Sequence, residues 1–202
     1  HIAAKRFVIA TGSRAFVPDI PGLEDTPYLT NDTIFDLRHQ PEHLIIIGGG
    51  PIGMEMAQAQ CRLGTTVTLI EGAQALGRED LEISSIVLDS LRADGVTIME
   101  DTGVEKIVAS GTSNKPAVEI HTSAGKISGT HLLVATGRTA NIERLNLSAA
   151  GVDVLRPPVG QPYISTDKRL RTTNRKIFAI GDVAGGPQFT HSAGYQAGSV
   201  SR

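Results

Sequence analysis

The chain has 202 residues, a net charge of −2, 40% apolar residues and 22 glycines, which fits one or two α/β domains with a real core. A charge so near zero argues against nucleic acid and anionic membranes as partners. No apolar run approaches the roughly 20 residues that span a bilayer, and no charged-then-apolar leader stands at the start, so a cytoplasmic protein is expected. A single cysteine, Cys61, rules out an internal disulfide or a thiolate metal cluster and reads as a small core residue in mid-helix.

In chain order, a strand Phe7-Val8-Ile9-Ala10 enters the turn Thr11-Gly12-Ser13-Arg14. The prolines and glycine of Val17-Pro18-Asp19-Ile20-Pro21-Gly22 mark an extended connection. A short helix over 31–37, capped by Asn31 or Asp32, follows. Then comes an uninterrupted apolar run, Leu44-Ile45-Ile46-Ile47, the mark of a strand buried on both faces. It runs into Gly48-Gly49-Gly50-Pro51-Ile52-Gly53 and a helix on which Ile52, Met56, Ala59 and Leu63 recur at helical spacing.

In this G-x-G-x-x-G pattern Gly48 permits the sharp turn and Gly50 lets backbone N–H groups approach a pyrophosphate. Gly53 lets the helix pack closely on the strand, and the helix N-terminus favours negative charge. Alone the pattern is weak, but Val67-Thr68-Leu69-Ile70 supplies a second strand ending at Glu71, at roughly the 20-residue offset of a ribose-binding acid. Glu71 is therefore read as a ribose ligand, the alternative being an exposed strand-end charge. A carboxylate there repels a 2′-phosphate, and residues 72–77 hold no Arg or Lys to reverse that, so NADH is expected over NADPH.

Beyond Glu71, the spacing predicts an amphipathic helix over 79–94 with Leu81, Ile86, Leu88 and Leu91 on its apolar face and Gly95 beyond its end. Val96 to Met99 reads as a third parallel strand. Short alternating stretches at 104–108, 117–121 and 126–127, separated by Gly111-Thr112-Ser113-Asn114 and Ser123-Ala124-Gly125, read as a β-meander crossing one face of the sheet. His131-Leu132-Leu133-Val134-Ala135 returns as a buried strand. Its continuation Ala135-Thr136-Gly137-Arg138 echoes Ala10-Thr11-Gly12-Ser13, which suggests two related nucleotide-binding domains; Gly12 and Gly137 either allow close backbone approach or sit in ordinary turns. Arg156-Pro157-Pro158-Val159-Gly160-Gln161-Pro162 is the best linker candidate. Strands at 163–167 and 176–180 follow, the latter entering Gly181-Asp182-Val183, and a helix opens near Thr190.

Taken together, Ala10-Thr11-Gly12-Ser13, Ile20-Pro21-Gly22, Gly48 to Ala57, Ala135-Thr136-Gly137-Arg138 and Phe178-Ala179-Ile180-Gly181-Asp182-Val183 resemble the FAD-dependent pyridine nucleotide-disulfide oxidoreductases, most of all their mercuric reductase-like and dihydrolipoamide dehydrogenase-like members. The resemblance implies an α/β architecture in which a Rossmann-like NAD-binding domain, a parallel sheet plus β-meander over 39–157, is inserted into a flavin-binding domain formed by 1–38 and 158–202. It implies a nucleotide site of Gly48, Gly50, Pro51, Ile52, Gly53, Glu55, Glu71, Val104 and Gly137. Glu55 is either a nicotinamide or flavin-edge ligand or a solvated first-turn acid, and Pro51 stands where some members carry a gating aromatic. On the flavin side it implies Thr11, Gly12 and Ser13 beside the adenine half of FAD, Asp182 on the ribityl chain, and Gln188, Phe189, Thr190 and His191 opening a helix that faces the isoalloxazine.

The family's N-terminal flavin turn, redox-active cysteine pair and C-terminal interface domain are not among these residues. The expectation is therefore a segment of a dimeric parent that moves a hydride from NADH to FAD and electrons on to a disulfide or similar acceptor. Such a segment would bind nicotinamide dinucleotide, fail to retain FAD and show no turnover, and it assigns no catalytic residue and no metal. Two other readings stand beside it: a stand-alone NAD(H) sensor, and a flavin reductase serving ferredoxin or oxygen.

Overall fold

The computed structural model describes residues 3–111 and 117–200; the expected turn at Gly111-Thr112-Ser113-Asn114 falls in part on residues 112–114, outside the described residues. Two compact units are present, Ala15–Gly137 and a second made of His1–Arg14 with Arg138–Arg202.

The core of Ala15–Gly137 is a parallel sheet in the order Thr97–Met99, Thr66–Ile70, His43–Ile47, His131–Val134. The central strand pairs on both sides, Ile46 with Leu69 and with Leu133. Successive side chains alternate between faces, so Leu44 and Ile46 enter one core with Met54, Ala57, Leu88 and Leu91, whereas Ile45 and Ile47 enter another with Ile107, Val118 and Ile120. Helices Pro51–Arg62 and Leu81–Ala93 supply the first cover. The antiparallel sheet Val104–Ala109, Val118–Thr122 and Gly125–Gly129 supplies the second, as the meander reading anticipates. Cover on both faces is why the run 44–47 is apolar without interruption.

Helix Pro51–Arg62 turns a different face inward from the one the spacing suggests, whereas in Leu81–Ala93 two of the four expected apolar positions, Leu88 and Leu91, are buried and Leu81 and Ile86 are not. In Pro51–Arg62 the buried residues are Gly53, Met54 and Ala57, and Leu63 is 70% exposed. Gly53 must lie against the glycine turn, and that requirement sets the rotation. In Leu81–Ala93 the buried positions are Ser84, Leu88 and Leu91, at i, i+4 and i+7. Ile86 lies two residues from both Ser84 and Leu88, on the far side of the helix, and Leu81 sits in the first turn; both are exposed. Asp80 caps this helix, its side chain accepting from the Glu82 and Ile83 N–H groups. The expected helix at 31–37 is a single 3₁₀ turn, Ile34–Asp36, preceded by Thr33 with no side-chain cap, which corrects the assignment of Asn31 or Asp32 as its cap. Cys61 is half-buried, and its Sγ donates to the Asp94 carbonyl at 3.1 Å.

Residues 15–38, expected with the flavin domain, pack here: Leu29 bridges Leu133 in parallel, its N–H donating to the Leu132 carbonyl at 2.7 Å, and Leu23 joins the core on the meander side. Residues 138–157 lie in the other unit, where Ala140, Leu147 and Val152 share a core with Ile164, Ala179 and Val183. The expected linker at 156–162 is the loop of a hairpin, because Val154–Leu155 pairs antiparallel with Tyr163–Ile164. Phe7–Ile9 pairs in parallel with Ile177–Ala179, and the 3₁₀ turn Gly181–Ala184 and helix Thr190–Val200 complete this unit.

Two features of Ala15–Gly137 carry stability predictions. Thr65 is 2% exposed and, among the described residues, its Oγ1 is the one buried side-chain oxygen or nitrogen without a hydrogen-bond partner. Thr65→Val removes that desolvated hydroxyl at constant shape and is expected to raise the stability by about 1 kcal/mol in chemical denaturation. His43 and His131 open neighbouring strands; burial pushes both imidazoles below the usual histidine range. Neutral His43 shares a 2.9 Å hydrogen bond with Thr68 Oγ1. Because the folded state resists protonation, stability is complete above the unfolded histidine value of about 6.5 and falls as the pH drops below it. A His43→Gln/His131→Gln double variant is expected to show a flatter melting temperature between about pH 7 and about pH 5 than the parent chain.

Candidate dinucleotide site

The glycine turn is built by contacts that exclude side chains. Gly48 has φ +114° and its N–H donates to the Ile70 carbonyl at 2.9 Å; a Cβ there would stand 2.4 Å from the Ala135 oxygen. At Gly53 an added Cβ would lie 2.0 Å from the Gly48 oxygen. Gly50 is different: it is extended, opens the Pro51–Arg62 helix, and a Cβ on it would meet nothing within 4 Å. The space above Gly50 is thus an open cradle, bordered by a helix N-terminus whose first backbone donors have no acceptor within the helix. Pro51 occupies the first helical position, where its missing N–H costs nothing.

Glu71 emerges from strand Thr66–Ile70 onto this turn. Its Oε2 accepts from the Gly49 N–H at 2.6 Å and its Oε1 from the Ala73 N–H at 3.1 Å. The carboxylate is therefore oriented by two backbone donors, and each oxygen keeps a further lone pair for an incoming hydroxyl. A side chain at Gly49 would stand 2.9 Å from the Glu71 Cβ. The G-x-G-x-x-G pattern leaves Gly49 as a variable position, and only the three-dimensional approach of Glu71 explains a glycine there.

Of the residues expected at this site, the structure gathers Gly48, Gly50, Pro51, Ile52, Gly53 and Glu71 around one turn. Val104 is half-buried and opens its strand two residues after Thr102, whose N–H donates to the Glu71 carbonyl at 2.9 Å. Gly137 has φ +126° and follows Ala135, whose carbonyl lies against Gly48. Glu55 is exposed on the helix and lies beyond the first turn, which contains no acid, so the first-turn description does not hold.

In the other unit, Ser13 Oγ donates to Asp182 Oδ2 at 2.5 Å, and Arg138 Nε donates to Ser13 Oγ at 2.6 Å while standing 3.8 Å from the same carboxylate oxygen. Asp182 is half-buried in the turn Gly181–Ala184, and the Gly181 N–H donates to Gln196 Oε1 of the following helix at 2.7 Å. Thr11 turns elsewhere, donating through Oγ1 to the Asn141 carbonyl, and the Gly12 carbonyl accepts the Asn141 N–H. Gln188, Phe189, Thr190 and His191 are all exposed at the opening of helix Thr190–Val200, with the Phe189 and His191 rings stacked at 5.3 Å. Nearby, a cleft of about 330 Å³ is lined by Tyr163, Ser165, Thr166, Gly185 and Gln196 among others. Arg14 grips Glu143 through two hydrogen bonds of 2.8 and 2.9 Å, which hold the Glu143 carboxyl at about 2; both partners are exposed, so the pair contributes little to stability. Among the described residues no cluster of His, Cys, Asp or Glu could hold a metal ion, and no helix is long and apolar enough to cross a membrane.

A parallel sheet, a turn closed by Gly48 and Gly53, and an acid at the end of the adjacent strand define a Rossmann-like dinucleotide-binding fold. The chain belongs to the pyridine nucleotide-disulphide oxidoreductase family, whose model matches residues 1–197. It is 40% identical to a mercuric reductase of Bacillus cereus over all of its own length and 32% of that protein. It is 36% identical to the probable pyridine nucleotide-disulfide oxidoreductase RclA of Escherichia coli, over 95% of this chain and 42% of that one. A solved structure of the flavoprotein disulfide reductase RclA from Escherichia coli, as a Cu(II) complex, superposes with a TM-score of 0.88 at 35% identity, covering 98% of this chain and 45% of that one. LpdA from Mycobacterium tuberculosis gives a TM-score of 0.82 at 26% identity, over 96% of this chain and 41% of that one. The chain thus spans about a third of the length of the mercuric reductases it matches.

Proposed function

We propose that this chain is the NADH-binding portion of a flavoprotein oxidoreductase in which hydride passes from NADH to FAD and electrons continue to a disulfide or similar acceptor. The observation that carries the reading is the Glu71 carboxylate, oriented by the Gly49 and Ala73 N–H groups beside the open space above Gly50. Glu71 accepts hydrogen bonds from the adenosine ribose, and the Ile52 and Gly53 end of the helix stabilises the pyrophosphate. The first cation after Glu71 is Arg78, beyond the loop 72–77, so a 2′-phosphate meets a carboxylate rather than a guanidinium.

Bound FAD would supply the two-electron acceptor. Some of this chain's residues fit the flavin: Ser13 and Arg138 hold Asp182 in one orientation for a sugar hydroxyl, and helix Thr190–Val200 presents its N-terminal end through Gln188, Phe189, Thr190 and His191. The sequence contains one G-x-G-x-x-G pattern, and that turn serves NADH. The 202-residue chain by itself is therefore expected to bind NADH without carrying flavin, whereas the dimeric parent carries both. Calorimetric titration with NADH and NADPH tests this: saturable binding that favours NADH is expected, together with no flavin absorbance in the purified chain. Equal affinity for the two nucleotides would remove the role of Glu71.

A further inference from the structure

Within the loop that follows Glu71 the Gly77 N–H donates to the Gln74 carbonyl at 3.2 Å, and the loop's further ties come from residues outside it. Leu76 adopts φ +53°, a conformation that costs a non-glycine residue energy, yet its N–H reaches the Gly49 carbonyl at 2.9 Å and its side chain is 9% exposed in the helix-side core. One residue earlier, Ala75 is 3% exposed, so its N–H needs an acceptor. The acceptor is Glu100 Oε1, at 2.9 Å, from a residue just beyond strand Thr97–Met99. The second carboxylate oxygen of Glu100 takes a 2.9 Å hydrogen bond from Arg92 Nη2, on the last turn of helix Leu81–Ala93. The Asp101 N–H adds a third tie, to the Ala73 carbonyl at 3.0 Å.

From this chain of contacts we infer that Glu100 is a positioning residue for the dinucleotide site, clamping the loop 72–76 between Arg92 and the glycine turn. The inference rests on the NADH reading above. Ala73 orients one oxygen of Glu71, and Leu76 fixes the carbonyl of Gly49, whose N–H orients the other. A loop free to lift would release the Ala73 N–H from one oxygen of that carboxylate and withdraw the Leu76 N–H that fixes Gly49, the residue holding the other, so Glu100 acts on ribose recognition through Ala75 and Leu76 without touching the ligand.

The test is titration of the 202-residue chain with ADP-ribose, for the parent sequence, Glu100→Ala and Glu100→Gln, each well below its own melting midpoint. Glu100→Ala is expected to bind at least about fivefold more weakly, a shift within the range of coupling through such contacts. Glu100→Gln keeps an oxygen for the Ala75 N–H but turns an N–H donor toward Arg92, and is expected to fall between the two; it also serves if Glu100→Ala does not fold. The Gly49 amide resonance of the free protein should shift in both variants, which a contribution to global stability alone would not produce. Folded variants with the affinity and Gly49 resonance of the parent would overturn the inference, whereas a parent chain that binds no ADP-ribose would instead overturn the dinucleotide reading.

Discussion

Gly53→Ala is expected to abolish dinucleotide binding and to destabilise the Ala15–Gly137 unit by about 3 kcal/mol, the upper end of ordinary overpacking. The added methyl would sit 2.0 Å from the Gly48 oxygen, with the Ala135 Cβ 3.7 Å away. Rotation cannot relieve a Cβ, so either the helix start or the turn must move. Moving the turn shifts Gly48, which is itself confined at φ +114° against the Ala135 carbonyl. Moving the helix start withdraws the donors above Gly50. Gly50→Ala is the matched control, since its Cβ meets nothing within 4 Å: it should leave the melting temperature nearly unchanged while weakening ligand affinity by filling the cradle. A Gly53→Ala protein with parental stability and affinity would show that the close approach of helix and turn is dispensable.

Glu71→Ala is expected to weaken NADH binding by about tenfold or more and to bring NADH and NADPH to within about threefold of each other. Two effects act together. The ribose loses its acceptor, worth about 1.5–3 kcal/mol for a hydrogen bond to a charged group, and the 2′-phosphate loses a like-charged neighbour, a repulsion of about 4 kcal/mol at contact for an effective dielectric near 20. The Gly49 N–H also loses its carboxylate partner, so some of the loss of affinity reflects a looser turn. Glu71→Gln separates the contributions, because it keeps an acceptor oxygen for Gly49 and removes the charge. NADPH should gain most in that variant. Parallel titrations of both nucleotides into the three proteins read out each step.

The strand-turn-helix unit is legible in the sequence because its determinants are local: an apolar run, glycines at fixed spacing and an acid at the next strand's end all lie within about thirty residues. The meander is legible for the same reason, its alternation being confined to short stretches. Helix rotation is not. Ile52, Met56, Ala59 and Leu63 make as good a helical stripe as Gly53, Met54 and Ala57, and only the approach of Gly53 to the Gly48 carbonyl selects between them. Hydropathy also misplaces Leu81 and Ile86, because apolar spacing does not reveal where the core ends.

Long-range pairings are out of reach by nature. Ser13 meets Asp182 across 169 positions, and Glu100 finds Ala75 only once two parallel strands lie side by side. The proline-rich stretch 156–162 has the composition of a linker and the position of a hairpin loop; composition reports that the chain turns there, and the pairing of Val154 with Ile164 decides what it joins. In the same way Leu29 draws residues 15–38 to the edge of the parallel sheet through backbone hydrogen bonds that carry no side-chain signature.

The most direct measurement is an amide-resolved NMR titration of the 202-residue chain with ADP-ribose, which carries the ribose and pyrophosphate and leaves out the nicotinamide. Saturable shifts of the Gly49, Gly50, Ile52, Gly53 and Ala73 amides with one common dissociation constant are expected if Glu71 and the glycine turn hold the dinucleotide. Saturation elsewhere with those five amides unmoved, or no saturation at all, would contradict that assignment.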